Sequence, residues 1–308
     1  MRADQLVHAA VLSLVLFGST HRGVTAEPRP DAPTVLLITS SRVGAFDEAV
    51  QGVRAGLGSA VRLVTVDLAA PDATSQLGAQ DVRLVVAVGN NALQEASRFG
   101  APVIATMILR QDLARDQTRL PAGAVVLDLN LASVLDSLAR VFPGKTRVGM
   151  VRRMDSGDPS DAALVAEAKS AGIVLTVIDC PQPDRLLRSF LELKQRVDFV
   201  WCPPDGTLYN GATVKPLILA SIENRLPVAG FSANFVRAGA AAGIYPDYRE
   251  LGVQTGEMAR RFLAGSPVHS SMESPRKIRV ALNERVARLL GLRIAEQNIT
   301  APGAVVIE

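Results

Sequence analysis

The chain has 308 residues, with 33 Lys and Arg against 30 Asp and Glu, 48% hydrophobic and 4% aromatic residues, 2 Cys and 3 His. A charged fraction of 20% with nearly balanced signs excludes a disordered acidic or basic tail protein, and a net charge of +3 without a basic stripe speaks against a nucleic-acid partner. Two cysteines are too few for a disulfide framework or a four-thiolate zinc site, and the length suits one large domain or two ordinary ones.

Ala9 to Phe17 is an apolar run too short to cross a bilayer, which takes ~20 residues. It is followed by Val24-Thr25-Ala26, small residues suited to a signal-peptidase site. Residues 1–26 therefore read as a secretory signal peptide, although Asp4 offsets Arg2 in its first segment, and the mature chain as exported to the periplasm. Cleavage removes Arg2, Arg22 and Asp4, which lowers the net charge by one. It also removes His8 and His21 and leaves His269, in the Ser- and Pro-rich stretch 265–272, as a solvated loop residue.

A repeating beat follows the Pro-rich leader. Val35–Ser41 is an apolar run ending in small polar residues, and Phe46, Val50, Val53 and Leu57 predict a helix over 45–57. Arg62–Leu68 and Arg83–Val88 read as strands, Ala92–Arg98 as a short helix, and Pro102–Leu109 and Ala124–Leu129 as strands. After a helix at Leu131–Phe142, ended by Pro143-Gly144, the beat restarts. Strands at Thr146–Val151 and Ile173–Asp179 flank a helix at Asp161–Ser170. A helix at Arg185–Arg196, a strand at Asp198–Cys202, a helix at Thr213–Arg225 and strands at Leu226–Phe231 and Ala241–Tyr245 complete this half. Tyr248–Ala264 is an amphipathic helix, Lys277–Leu282 a strand, and Asn283–Leu290 a helix capped by Gly291.

Continuous Val/Ile/Leu runs alternating with helices predict parallel sheets covered on both faces. The fold class is α/β, with two doubly wound Rossmann-like lobes joined by a hinge near Asn130. Lobe one is expected over 34–129 with helix 248–264, lobe two over 130–247 with 273–293, and a C-terminal tail over 294–308.

Ligands of open α/β sheets bind beyond the carboxyl ends of the strands. Candidates standing there are Ser40, Ser41, Asn90, Asn91 and Met107 in the first lobe, and Arg152, Asp205, Ser232 and Asn234 in the second. Short polar side chains hydrogen-bond a small ligand, but the same residue types cap helices whether or not a ligand exists. Gly144-Lys145-Thr146 fails as a phosphate loop, because residue 139 is Ala and the segment leads from helix into strand. Gly230-Phe-Ser-Ala-Asn234 fails as a nucleophile elbow, because its last Gly is missing. No metal-ligand spacing occurs, and no cofactor is expected. Cys180 and Cys202 end strands that a 2-1-3 order sets ~10 Å apart, beyond the roughly 7 Å limit for a bridge. Two buried thiols are expected.

The stretch from Gly230 to Gly256 resembles the ABC-transporter substrate-binding family that includes tryptophan- and tyrosine-type binding proteins. Val236, Gly239, Ala240, Tyr248, Glu250, Leu251, Gly252 and Gln254 fit its pattern. Pro203-Pro-Asp205 resembles its turn after a lobe-two strand, and Pro275 through Asn283, with Ala287 and Gly291, its closing strand and helix. The resemblance implies a type I periplasmic binding protein fold with a small ligand closed between two lobes. It also implies delivery to an ABC permease in the inner membrane by a monomeric, non-enzymatic carrier; a sensor signalling to a membrane kinase is the alternative. By position, Asp205 would hold a ligand amino group and the N–H groups near Asn90 its carboxylate. Two departures fall at cleft positions. Ile108-Leu-Arg-Gln-Asp-Leu113 stands where the family has Asp-Pro, and Arg152-Arg-Met-Asp155 where it has a Tyr-Asn-Pro-like turn. Both speak against an aromatic amino acid, and the arginines point to an anionic or carboxylate-bearing ligand.

Overall fold

The computed structural model describes residues 32–70, 81–115, 120–154, 160–266, 271–292 and 305–307. The segment read as a signal peptide and His269 lie outside the described residues. Lobe one is a parallel sheet of β1 (Thr34–Thr39), β2 (Arg62–Asp67), β3 (Leu84–Val88), β4 (Val103–Thr106), β5 (Gly123–Val125) and β11 (Ser271–Glu273). Its order is β11-β5-β4-β3-β1-β2. Lobe two contains β6 (Arg147–Arg152), β7 (Val174–Asp179), β8 (Phe199–Trp201), β9 (Val228–Gly230), β10 (Ala242–Pro246), β12 (Ile278–Asn283) and β13 (Val305–Ile307). Its order is β13-β12-β10-β9-β8-β6-β7, with β12 antiparallel to β10 and the other pairs parallel.

The lobe-one helices are α1 (Ala45–Leu57), α2 (Asn90–Ala96) and α3 (Arg110–Arg115). Lobe two carries α4 (Leu131–Val141), α5 (Asp161–Ser170), α6 (Leu186–Glu192), α7 (Val214–Glu223) and α8 (Ala233–Arg237). After them come α9 (Tyr248–Leu263), which returns to lobe one, and α10 (Glu284–Leu289), which stays with lobe two. Three local features differ from the sequence reading. Strand β4 stops at Thr106 because Met107 takes φ 57, a left-handed conformation that turns the chain into α3, for which no helix was expected. Strand β5 ends at Val125, so 126–130 is a crossing rather than a strand. The three-residue strands β11 and β13 edge the two sheets, the latter within the expected tail.

Apolar periodicity decides which helix faces are buried. Helix α1 turns Ala49, Val50, Val53 and Leu57 into a core shared with Val35, Leu37, Val86 and Val88 of the sheet and Leu251, Met258 and Ala259 of α9. Helices α1 and α9 meet backbone to backbone. A Cβ at Gly52 would lie 2.0 Å from the Arg249 carbonyl oxygen, and one at Gly252 would lie 2.0 Å from that of Ala49. At Gly56 and Gly256, one turn on, a Cβ would lie 2.2 and 2.5 Å from the Val253 and Val53 carbonyl oxygens. Only glycine fits at these positions.

The chain passes between the lobes at 126–130, 246–247 and 274–277. The third passage is fastened to α9. Buried Gln254 donates to Glu273 Oε2 at 2.8 Å and to the Ser274 carbonyl at 3.1 Å, and accepts the Arg276 N–H at 3.2 Å. Ion pairs Arg261–Glu273 at 2.7 Å, Arg276–Glu257 at 2.7 Å and Lys277–Glu250 at 2.8 Å continue the seam. Burial alone would raise the Asp247 carboxyl, but the Glu250 N–H and the Arg279 guanidinium outweigh it and hold the carboxyl below its usual range. That contribution is present above the unfolded carboxylate range and is lost as pH falls through the depressed value.

Lobe two packs α4 and α5 on one face, around Phe142, Val148, Phe199 and Trp201, and α6 and α7 on the other, around Val151, Phe190, Val200 and Leu217. Cys180 and Cys202 end β7 and β8 with β6 between them, and both are buried free thiols. Burial pushes the Cys202 thiol up to about 12 and the Cys180 thiol in the same direction.

Two measurements follow from this packing. Gly252→Val forces a branched side chain into a backbone oxygen and is expected to cost about 3 kcal/mol of stability, the upper end of overpacking penalties. Urea unfolding checks this, and an unshifted midpoint would remove the glycine contact from the fold's foundations. Neither thiol is expected to react with iodoacetamide at neutral pH in the folded protein, and both should react in denaturant. Mass spectrometry of the alkylated chain reads the count.

Candidate functional site

The carboxyl ends of both sheets open onto one cleft, roofed at its back by the crossings. An inner compartment of about 310 Å3 is lined from both lobes. An outer compartment of about 340 Å3 shares Gln111, Leu127 and Asp205 with it, so the two are continuous. Ligand sites for small molecules start near ~300 Å3.

The inner floor is apolar. Met150 of β6, Trp201 of β8 and Ile244 of β10 point to the same side of the sheet, as the period-2 alternation of neighbouring strands requires, and Phe231 stands past the end of β9. Trp201 is the only tryptophan of the chain. Polar groups surround this floor. Arg152, buried at the end of β6, donates to Asp161 Oδ1 from Nε at 3.1 Å and from Nη2 at 2.9 Å. Asp161 sits in the first turn of α5, behind the N-cap Ser160.

Arg153, the first residue past β6, also lines the cleft. Its Nε donates to Asp205 Oδ2 at 3.2 Å and its Nη2 to Oδ1 at 3.4 Å. The two side chains are only 16% and 6% exposed, so the pair is held in a largely water-free wall. Asp205 Oδ1 also accepts the N–H groups of Thr207 at 2.8 Å and Leu208 at 3.0 Å. The turn after β8 is thus wound around this carboxylate. Behind it the Tyr209 hydroxyl donates to the Val151 carbonyl, and burial raises this phenol well above its ordinary range.

Lobe one contributes the start of α3 and the first crossing. Asp128 Oδ2 accepts the Arg110 N–H at 2.8 Å. Arg110 is exposed and lines the cleft, and its guanidinium donates to the Met272 sulfur at 3.7 Å. Asn130 caps α4, accepting the Ser133 N–H at 3.4 Å, and Glu167 accepts the Ala132 N–H at 3.2 Å. In the outer compartment Asn90 donates to Asp112 Oδ2 at 3.0 Å, opposite Gly206 and Thr207.

The structure brings four of the nine sequence candidates to this cleft. Arg152 and Asp205 line the inner compartment, and Asn90, Met107 and again Asp205 the outer one. Ser40, Ser41, Asn91, Ser232 and Asn234 line neither compartment. The Ser40 hydroxyl accepts the Ala92 N–H at 3.0 Å and Ser41 that of Val43 at 3.3 Å. Ser232 caps α8 by accepting the Phe235 N–H at 3.1 Å, and Asn234 accepts from Arg237 at 2.7 Å. The N–H groups expected to receive a carboxylate near Asn90 belong to α2, into which Asn90 and Asn91 are both wound.

Arg110 and Trp201 are cleft residues absent from the strand-end candidates, and Arg153, which stands at a strand end and was read with Arg152 as pointing to an anion, lines the cleft as well. Arg153 is the first residue past β6, where the chain leaves the sheet and strand alternation no longer applies. Trp201 precedes the polar strand end. Arg110 lies in the departure from the family's Asp-Pro pattern, and that departure was the signal available. Among the described residues no three His, Cys, Asp or Glu side chains come together as a metal site.

The fold is that of several solved binding proteins. A domain in complex with L-Trp from Streptococcus pneumoniae aligns at TM-score 0.57 with 20% identity, covering 89% of this chain and 100% of that one. The ligand-free, open structure of a substrate binding protein with adhesive properties from Clostridium difficile aligns at 0.65 with 16% identity, over 90% and 99%. A conserved domain protein from Vibrio cholerae aligns at 0.58 with 17% identity, over 89% and 99%. No curated protein matches the sequence. The two lobes, the hinge and the cleft are those of a type I periplasmic binding protein. The family model for ABC transporter substrate binding proteins matches residues 68–306, so the chain belongs to that family.

Proposed function

We propose that the protein is the solute-binding component of an ABC importer. It works outside the inner membrane after export, as a monomer, and hands a small carboxylate-bearing molecule to a permease. Its work is binding and closure rather than chemistry. The observation that carries the reading is the inner compartment, with an apolar floor from lobe two, guanidinium groups above it, and a facing wall from lobe one. A ligand touching both walls stabilises the closed arrangement by its differential affinity for it.

The sequence reading assigned Asp205 to a ligand amino group. The carboxylate is instead occupied by Arg153 and two backbone N–H groups. In this proposal it positions Arg153 rather than meeting the ligand.

Thermal-shift and calorimetric screening of the chain without residues 1–26, across amino acids, carboxylates and nucleosides, is expected to give a saturable ligand. Trp201, the single tryptophan of the chain and a lining residue of the cleft, is expected to change its emission on the same titration. Absence of any saturable partner across these classes would overturn the proposal.

A further inference from the structure

Building on this reading of the cleft as a solute site, we infer that Trp201 determines which solute it accepts. The indole N–H takes a carbonyl oxygen carried on the solute's carbon body, and Gln111 supplies a second neutral contact from lobe one. The class of ligand is therefore an acid with an uncharged oxygen on its chain, and a plain hydrocarbon chain is disfavoured.

Trp201 is the last residue of β8, paired with Met150 of β6 on one side and Ala229 of β9 on the other. It is only 8% exposed. An indole nitrogen donates one hydrogen bond and accepts none. Among the described residues this donor has no acceptor. Every buried side-chain nitrogen and oxygen of the described residues does have a partner, so the indole nitrogen is not sealed in the core. It reaches solvent, and the opening that the ring lines is the inner compartment. A donor left open on an otherwise buried ring meets whatever fills that space.

A hydrocarbon body lying on this floor would take the N–H out of water and give nothing back. A donor stranded in that way costs affinity, and an oxygen at that point of the body restores the bond. Met150, Phe231 and Ile244 receive the carbon on either side of it. Gln111 answers from lobe one. It lies in the first turn of α3 and lines both compartments, and among the described residues its amide has no partner either. An amide both donates and accepts, so it fits a carbonyl approached from the opposite wall. A guanidinium holds almost any anion, whereas a site built on a neutral donor rejects the analogue that lacks the acceptor. Selection among acids therefore falls to Trp201.

Because Trp201 is the only tryptophan, the full chain labelled at the indole nitrogen gives a single NMR cross-peak that reads this proton alone. In the free protein the proton is expected to exchange rapidly with water. Pairs that differ by one carbonyl oxygen, levulinate against pentanoate and 2-oxoglutarate against glutarate, are then titrated by calorimetry. At least one oxo acid is expected to bind ten-fold or more tightly than its partner, with the indole proton shifted downfield and protected. Trp201→Phe is expected to erase the preference. Replacing the tryptophan by benzothienylalanine, which keeps the two-ring shape with sulfur in place of the N–H, should erase it with the thermal melt unchanged. Gln111→Leu should weaken the oxo acid several-fold. An indole proton already protected in the free protein, equal affinity within both pairs, a preference that survives the sulfur analogue, or full affinity in Gln111→Leu would overturn the inference and leave the solute-binding reading standing. If neither pair binds, the proton is read in the complex with the solute that saturates in the wider screen: protection supports the inference and free exchange overturns it. Failure of every solute class would remove both.

Discussion

The backbone contact between α1 and α9 is the constraint on which the rest of this structure depends. Four glycines, at 52, 56, 252 and 256, bring the helices to a distance that a single methyl group would prevent. The gain is not the contact alone. With α9 pressed this close, Leu251, Met258 and Ala259 complete the hydrophobic face over β1, β3 and β4. Lobe one therefore lacks part of its core until the chain has traversed lobe two and come back. The return is made at Pro246-Asp247, and β11 and β12 then oblige a third passage. A two-lobed shape with three crossings is thus a consequence of where α9 must be buried, with close packing supplying the driving force.

The crossings are not equivalent. The passage after β11 is riveted to α9 by Gln254 and by ion pairs of Glu250, Glu257 and Glu273, so it moves with lobe one up to Lys277. At Pro246-Asp247 the Tyr245 and Tyr248 rings stack with centroids 5.7 Å apart, one ring from each lobe. Arg279 joins Asp247 at 2.9 Å and approaches Glu48 at 3.9 Å. These contacts hold the back of the hinge, where β5 and β10 run straight into the crossings, while the residues that end or follow β6 and β8 line the cleft. A lever of that kind turns a small rotation at the hinge into a large change of cleft width.

Much of this fold is legible in the sequence because the elements are long and strongly periodic: Phe46, Val50, Val53 and Leu57 read as α1, and the Val/Ile/Leu runs as buried parallel strands. The separation of Cys180 from Cys202 by β6, with both thiols free, also follows the strand order read from the sequence. What escaped detection has little pattern to detect. Strands β11 and β13 are three residues each, and β4 is cut short by the positive φ of Met107, which no propensity announces. The cleft was half legible for a different reason. A short polar residue at a strand end has a backbone N–H two or three positions away, reached at almost no entropic cost, and a ligand has to compete with it. Ser41 and Ser232 were taken by that local option and Ser40 by the neighbouring helix start, whereas the long side chains of Arg152 and Arg153 project past it.

The same economy governs the charges of the cleft. Among the described bonds the ion pairs there lie within one lobe, Arg152 with Asp161 and Arg153 with Asp205, and Asp112 and Asp128 likewise accept from Asn90 and the Arg110 N–H of their own lobe. Ion pairs that join one lobe to the segment leaving the other, such as Lys277–Glu250 and Arg279–Glu48, lie at the hinge. Had Arg153 found its carboxylate across the cleft, the lobes would close on an empty site, and a solute would have to break that bridge before binding. Satisfying each lobe internally leaves the open form without a competing attraction and reserves the closing free energy for a molecule that supplies what neither lobe offers the other.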